Sequence, residues 1–159
     1  MLSRKLIGLF MLIGPLLAIA SIFIEPGGTS DASFSETVQE MAANYTIATI
    51  SMLMWAAAIL MIFIGIHALA RSMQGEGKPG SDLAGLASIF ALLAAGVAMV
   101  SIGIELTVGE RESSWVEQGG DVVNATALSS AIARSIFIFN GVVMFFLGLA
   151  IVRQKNLNQ

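Results

Sequence analysis

Cysteine is missing from this chain of 159 residues, and histidine occurs once, at His67. The first absence excludes disulfides and thiolate metal sites and removes the usual clue to redox compartment. The second excludes a multi-histidine metal centre within one chain. Charge is scarce too: 12 % of residues are charged and 56 % are hydrophobic, against about 25 % charged in an ordinary soluble domain. That balance places the chain in a bilayer. The Gly-Lys pair in Gly75-Glu76-Gly77-Lys78-Pro79-Gly80 lacks phosphate-loop spacing and no strand precedes it, so it reads as a turn. No nucleophile–base pair and no metal-ligand cluster stands out, so no enzyme activity is expected, no cofactor is predicted, and nucleic acid is not an expected partner.

What the chain does have is four apolar stretches, roughly 6–25, 47–70, 84–105 and 127–152. Each is long enough to cross about 30 Å of hydrocarbon as a helix. Lipid cannot satisfy free backbone groups, which excludes open strands. The first stretch has a rival reading, because Arg4-Lys5, an apolar run and Ala18-Ile19-Ala20 resemble a signal peptide with a cleavage site. Its length and its likeness to the third stretch favour retention.

That likeness is the main internal pattern. Ser21-Ile22-Phe23-Ile24-Glu25 closes the first stretch and Ser101-Ile102-Gly103-Ile104-Glu105 closes the third, at an offset of 80. The same offset matches Leu6, Phe10, Leu12 and Ala18 with Leu86, Phe90, Leu92 and Ala98, and Asn44-Tyr45-Thr46 with Asn124-Ala125-Thr126. Ala18, Ser21, Ile22 and Glu25 share one helical face. The pattern predicts an all-α membrane protein: a four-transmembrane-helix bundle of two helical hairpins, repeated in parallel about the membrane normal. The whole chain, 1–159, is then a single integral membrane domain, with repeat 1 at about 1–75 and repeat 2 at about 81–159.

Basic residues set the expected orientation. Arg4, Lys5, Arg71, Lys78, Arg153 and Lys155 fall on one side of four spans. The other side has Arg111 and Arg134 against nine acidic residues, Glu25 and Glu105 among them. The positive-inside rule places both termini in the cytoplasm, and the expected location is a bacterial or archaeal plasma membrane.

The loops carry local signals. Pro26-Gly27-Gly28 stops the first helix. Ser33-Phe34-Ser35-Glu36 has capping-box spacing, with Phe34, Val38 and Met41 on one stripe. This predicts a short helix lying on the membrane surface or on the bundle, or a solvated turn leading into the next span. Ser114-Trp115-Val116-Glu117 repeats the capping spacing, with Trp115 suited to headgroup level. Ser81 or Asp82 can cap the third span, and Asn44 and Asn124, both in N-glycosylation patterns, sit where helix capping is expected.

Five residues are candidates for function. Glu25, Glu105 and Arg134 are expected at similar depth, forming either a charged cluster or three separate interfacial charges. Asn140 is the deepest strongly polar side chain and is expected to bond to another helix. His67 reads either as an interfacial histidine bonded to a carbonyl or headgroup, or as a haem ligand or proton relay. Thr49, Ser51, Ser129 and Ser130 can bond to their own helix carbonyls. Gly8, Gly14, Ala56–Ala58, Ala94–Gly96, Gly148 and Ala150 offer small surfaces for close helix approach.

Three functions remain open. The first is an accessory or assembly subunit, with the bilayer and other membrane subunits or further copies of itself as partners. The second is a small carrier or channel with the Glu25, Glu105 and Arg134 cluster at its mouth. The third is a haem- or quinone-binding electron carrier using His67.

Overall fold

A computed structural model describes residues 2–26, 33–109 and 119–154, and among them every regular element is a helix. The helices are α1 (Arg4–Ile24), α2 (Phe34–Ala43), α3 (Tyr45–Ser72), α4 (Ser81–Gly109) and α5 (Val122–Arg153). Four of them, all except α2, are long and apolar enough to cross a membrane. α3, α4 and α5 extend past both ends of their apolar stretches and take in polar residues such as Arg71, Asp82 and Asn124. The 32 residues of α5 make a rod of about 48 Å, longer than the ~30 Å hydrocarbon layer. The surplus must tilt or reach into the headgroups.

The long helices pack in chain order. α1 lies along α3, α3 along α4, and α4 along α5, whereas α1 has no extended contact with α4 or α5. Lipid supplies little hydrophobic force between helices, so close packing and interhelical hydrogen bonds must hold them. α4 provides the close packing with a stripe of alanines, Ala84, Ala87, Ala91, Ala94 and Ala98, all fully buried. The stripe repeats at three and four residues, which is one helical face. Ile59, Phe63 and Ile66 of α3 and Val143, Leu147 and Ala150 of α5 close on it. Phe90 of α4 stacks on Phe146 of α5 with ring centroids 6.1 Å apart.

The small residues do not contribute equally. A Cβ on Gly14 would lie 2.8 Å from Ile62 Cγ1 and 3.2 Å from the Ala58 carbonyl, so this glycine brings α1 against α3. Pro15 follows it and leaves the Met11 carbonyl without its usual donor. Gly8, Gly96 and Gly148 face open space instead. Their expected part in helix association is therefore not seen.

α2 forms with the expected capping box: the Ser33 hydroxyl accepts from the Glu36 N–H, and the Glu36 carboxylate accepts from the Ser33 N–H at 2.7 Å. It sits on the helix ends, where Met41 is buried with Ala48, Met52 and Leu106. The Asn44 amide donates to the Glu40 carbonyl at the end of α2 and makes no side-chain cap for α3. Asn124 is not a cap either; Asp121 caps α5 and accepts from the Asn124 N–H at 3.0 Å. The Ser114–Glu117 signal and Trp115 lie outside the described residues. The 73–80 turn has left-handed backbone at Gly77 and Gly80 (φ +72° and +75°). It rests Gly80 against Ala150 of α5, where a Cβ would come within 3.1 Å of the Ala150 Cα.

Candidate functional site

Alternating spans gather the basic residues Arg4, Arg71, Lys78 and Arg153 at one end of the molecule and Glu25, Glu36, Glu40, Glu105 and Asp121 toward the other. Near the acidic end each outer helix is fastened to its neighbour by buried serines. The Ser51 hydroxyl of α3 donates to the Ser21 carbonyl of α1 at 3.1 Å, while Ser21 turns back to the Ala18 carbonyl at 2.7 Å. Ser101 of α4 and Ser129 of α5 lie with their hydroxyls 2.7 Å apart. The Ser129 hydroxyl is also 2.7 Å from a Glu105 carboxylate oxygen. Ser51 and Ser129 thus bond across helices, contrary to the local bonding expected from sequence. The residues they reach, Ser21 and Ser101, each lie one turn from a buried alanine, Ala18 or Ala98, and a small residue there lets the neighbouring backbone come within reach.

Glu25 stands just past α1. Although Glu25 as a whole is exposed, partial burial of its carboxyl, and secondarily the Glu105 carboxylate, raises its pKa above the ordinary value of 4.5. Glu105 is thus near enough for its charge to reach Glu25. Arg134 does not join them: it is exposed, and among the described residues it forms no ion pair with either. The cause is angular. Arg134 lies five residues beyond Ser129, about 140° around α5 at 100° per residue, so it faces away when Ser129 faces Glu105.

Asn140 lies eleven residues beyond Ser129, about 20° around the same helix, and so shares its face. It borders a cavity of about 340 Å³ between α3, α4 and α5, whose walls include Trp55, Phe63, Ser101, Glu105 and Phe137. No hydrogen bond joins the Asn140 amide to another described residue, so the expected bond to a neighbouring helix is not formed. The cavity is thus largely apolar, with an amide and a carboxylate at its border. Such a composition suits a small lipophilic molecule that carries one polar group.

His67, toward the basic end of α3, meets Ser88 of α4. Its Nδ1 is 2.8 Å from the Ser88 hydroxyl and 3.3 Å from the Ser88 carbonyl. This fastens α3 to α4 and leaves Nε2 as the nitrogen still available for other chemistry. Ser88 had no distinguishing signal in the sequence beyond its place beside Ala84, Ala87 and Ala91. Among the described residues, no group of three or more His, Asp or Glu side chains is placed to hold a metal ion.

Comparison with known protein families, with curated proteins and with solved structures finds no match to the chain.

Proposed function

We propose that this chain is a non-catalytic integral membrane protein that serves as an accessory or assembly subunit beside larger membrane partners. One observation carries the reading: α1 is attached along α3 alone, while Leu12, Leu16, Ile22 and Phe23 of α1 stand exposed. Lipid can cover such a face, but a helix with one seam is also ready to receive a second neighbour. The proposal includes a bundle of two duplicated hairpins with both termini in the cytoplasm. The paired serine fasteners and the gathering of basic residues at one end support those details. Affinity purification in mild detergent tests the main reading. A stoichiometric larger partner that crosslinks to a photoreactive side chain at Leu16 supports it; a homogeneous protein without such a partner counts against it.

A small carrier is the second reading, favoured by the cavity that Glu105 and Asn140 border. Uptake into vesicles that disappears in Glu105→Gln would select it over the subunit. For the electron carrier, a haem or quinone absorbance in the purified protein is the deciding observation. Orientation is tested in this cysteine-free chain with an impermeant thiol reagent on intact cells. Ser30→Cys and Gly119→Cys should label and Gly77→Cys should not; the reverse pattern would invert the topology.

A further inference from the structure

The basic end contains a feature that neither the subunit nor the carrier reading uses. α1 and α5 stand apart there, and a groove of about 790 Å³ opens between them, floored by the end of α3 and the 73–80 turn. Arg4 and Lys78 line its mouth. Met11, Leu69 and Ile151 line it farther in, and among the described residues no carboxylate borders it. Met11 lies seven residues along α1 from Arg4, about 10 Å toward the membrane centre. The groove thus starts in cations and ends in hydrocarbon, matching an anionic phospholipid in both order and polarity. We infer that this groove binds one anionic phospholipid, its phosphate between Arg4 and Lys78 and a fatty chain along Met11, Leu69 and Ile151.

Three details support that occupant. First, the cations are available: Lys78 Nζ donates only to the Ser72 carbonyl, at 3.4 Å, and among the described residues neither cation pairs with a carboxylate. Second, Lys78 has a fixed origin, because the turn that carries it packs Gly80 against Ala150 of α5. Third, Gly8 has nothing within 4 Å of where its Cβ would be, so the α1 wall is open where a lipid chain would enter. Basic pockets between transmembrane helices are a recurrent solution for anionic headgroups. The mixed-charge pocket nearby, where Glu76 and Asp82 accompany Lys78 and Arg153, lacks both the charge bias and the apolar depth.

The test uses the full chain purified in detergent, with lipid adducts followed by native mass spectrometry and confirmed by thermal shift. Phosphatidylglycerol should bind one per chain and raise the melting temperature. Phosphatidylcholine with the same chains, and inorganic phosphate alone, should do neither at equal concentration. At about fivefold per cation, Arg4→Gln with Lys78→Gln should weaken the phosphatidylglycerol adduct about twenty-five-fold. Arg71→Gln, which removes a cation outside the groove, should leave it within about twofold. Should the double variant fail to insert, Gly8→Trp keeps both cations, fills the open wall and should abolish the adduct. Equal binding of phosphatidylcholine overturns the inference. So does an undiminished adduct in the variant that can be purified, or stabilisation by inorganic phosphate alone. A protein crosslinked to a photoreactive side chain at Met11, or a dimer with no lipid adduct, assigns the groove to a partner helix or a second copy and likewise overturns it.

Discussion

Where α1 meets α3, the backbones close at Gly14 and a single hydroxyl, that of Ser51, crosses the gap. Where α4 meets α5, alanines and ring stacking fill the gap, and two hydroxyls and the Glu105 carboxylate converge at one level. Both pairs obey the same rule, with small residues admitting the neighbouring backbone and a serine bonding to it. They differ in redundancy. The α4–α5 seam has many contacts to lose, and α4 is also supported by α3. The α1–α3 seam closes at Gly14 and again at Gly65, where a Cβ would come within 3.1 Å of Met11 Sδ, but no other long helix braces α1. The peripheral pair is therefore the weaker joint, and single substitutions there should matter more.

The largest effect expected is at Gly14. A larger side chain meets Ile62 and the Ala58 carbonyl, and backbone cannot yield as a side-chain tip can. Gly14→Leu should cost about 1–3 kcal/mol, read as a lower melting temperature in detergent. Gly148→Leu, on the α4–α5 side but facing open space, should cost nearly nothing. Similar losses in both would erase the contrast between an essential and an incidental glycine.

Ser129→Ala should come next. It removes the shared hydroxyl and leaves Glu105 without its donor, at about 1–2 kcal/mol. Ser51→Ala breaks one bond to a carbonyl and should cost about 0.6 kcal/mol. If chemical denaturation ranks these two the other way, the convergence at Ser129 adds nothing to that seam.

His67 and Ser88 join the two pairs through α3 and α4. A double-mutant cycle of His67→Ala and Ser88→Ala should give a coupling of about 0.6 kcal/mol, the usual size for such bonds in membranes. Zero coupling would mean that the alanine stripe alone joins the halves.

The smallest effects are two acids that should respond oppositely to pH. Folding raises the pKa of Glu25, so its folded form holds a proton longer than its unfolded form. Stability is then greatest on the acid side and falls as pH rises from about 4.5 through the raised value. Glu25→Gln should flatten that decline and slightly stabilise the protein at neutral pH. Hydrogen bonds from the Ser33 N–H and hydroxyl lower the pKa of Glu36. Its contribution is present above about 4.5 and is lost as pH falls through the lowered value. Glu36→Gln should therefore weaken the neutral-pH form and leave the most acidic condition unchanged. Melting curves across pH 3–8 that slope the same way for both variants would refute the pairing.

The spans were legible because composition and length alone decide them, and the capping box of α2 was legible because its chemistry is local. Whether Arg134 would meet the two acids was not legible for a geometric reason: depth follows from counting residues, whereas direction depends on which face of α5 meets α4. Ser88 lay hidden for a related reason. A serine in an apolar run can bond to its own helix or to a neighbour, and only the neighbour's distance decides between them. Asn140 shows the limit from the other side, since its face was correct for contact but a cavity occupies the place where a partner group would be.

Packing in chain order has a consequence for biosynthesis. Each long helix leaves the ribosome with its contact partner either already in the bilayer or next to emerge. α3 can dock on α1, α4 on α3 and α5 on α4, with no earlier contact broken to admit a later helix. Insertion and assembly can then proceed at the same pace. A stall at any point leaves the helices already made packed in their final order, with the face awaiting the next helix still uncovered.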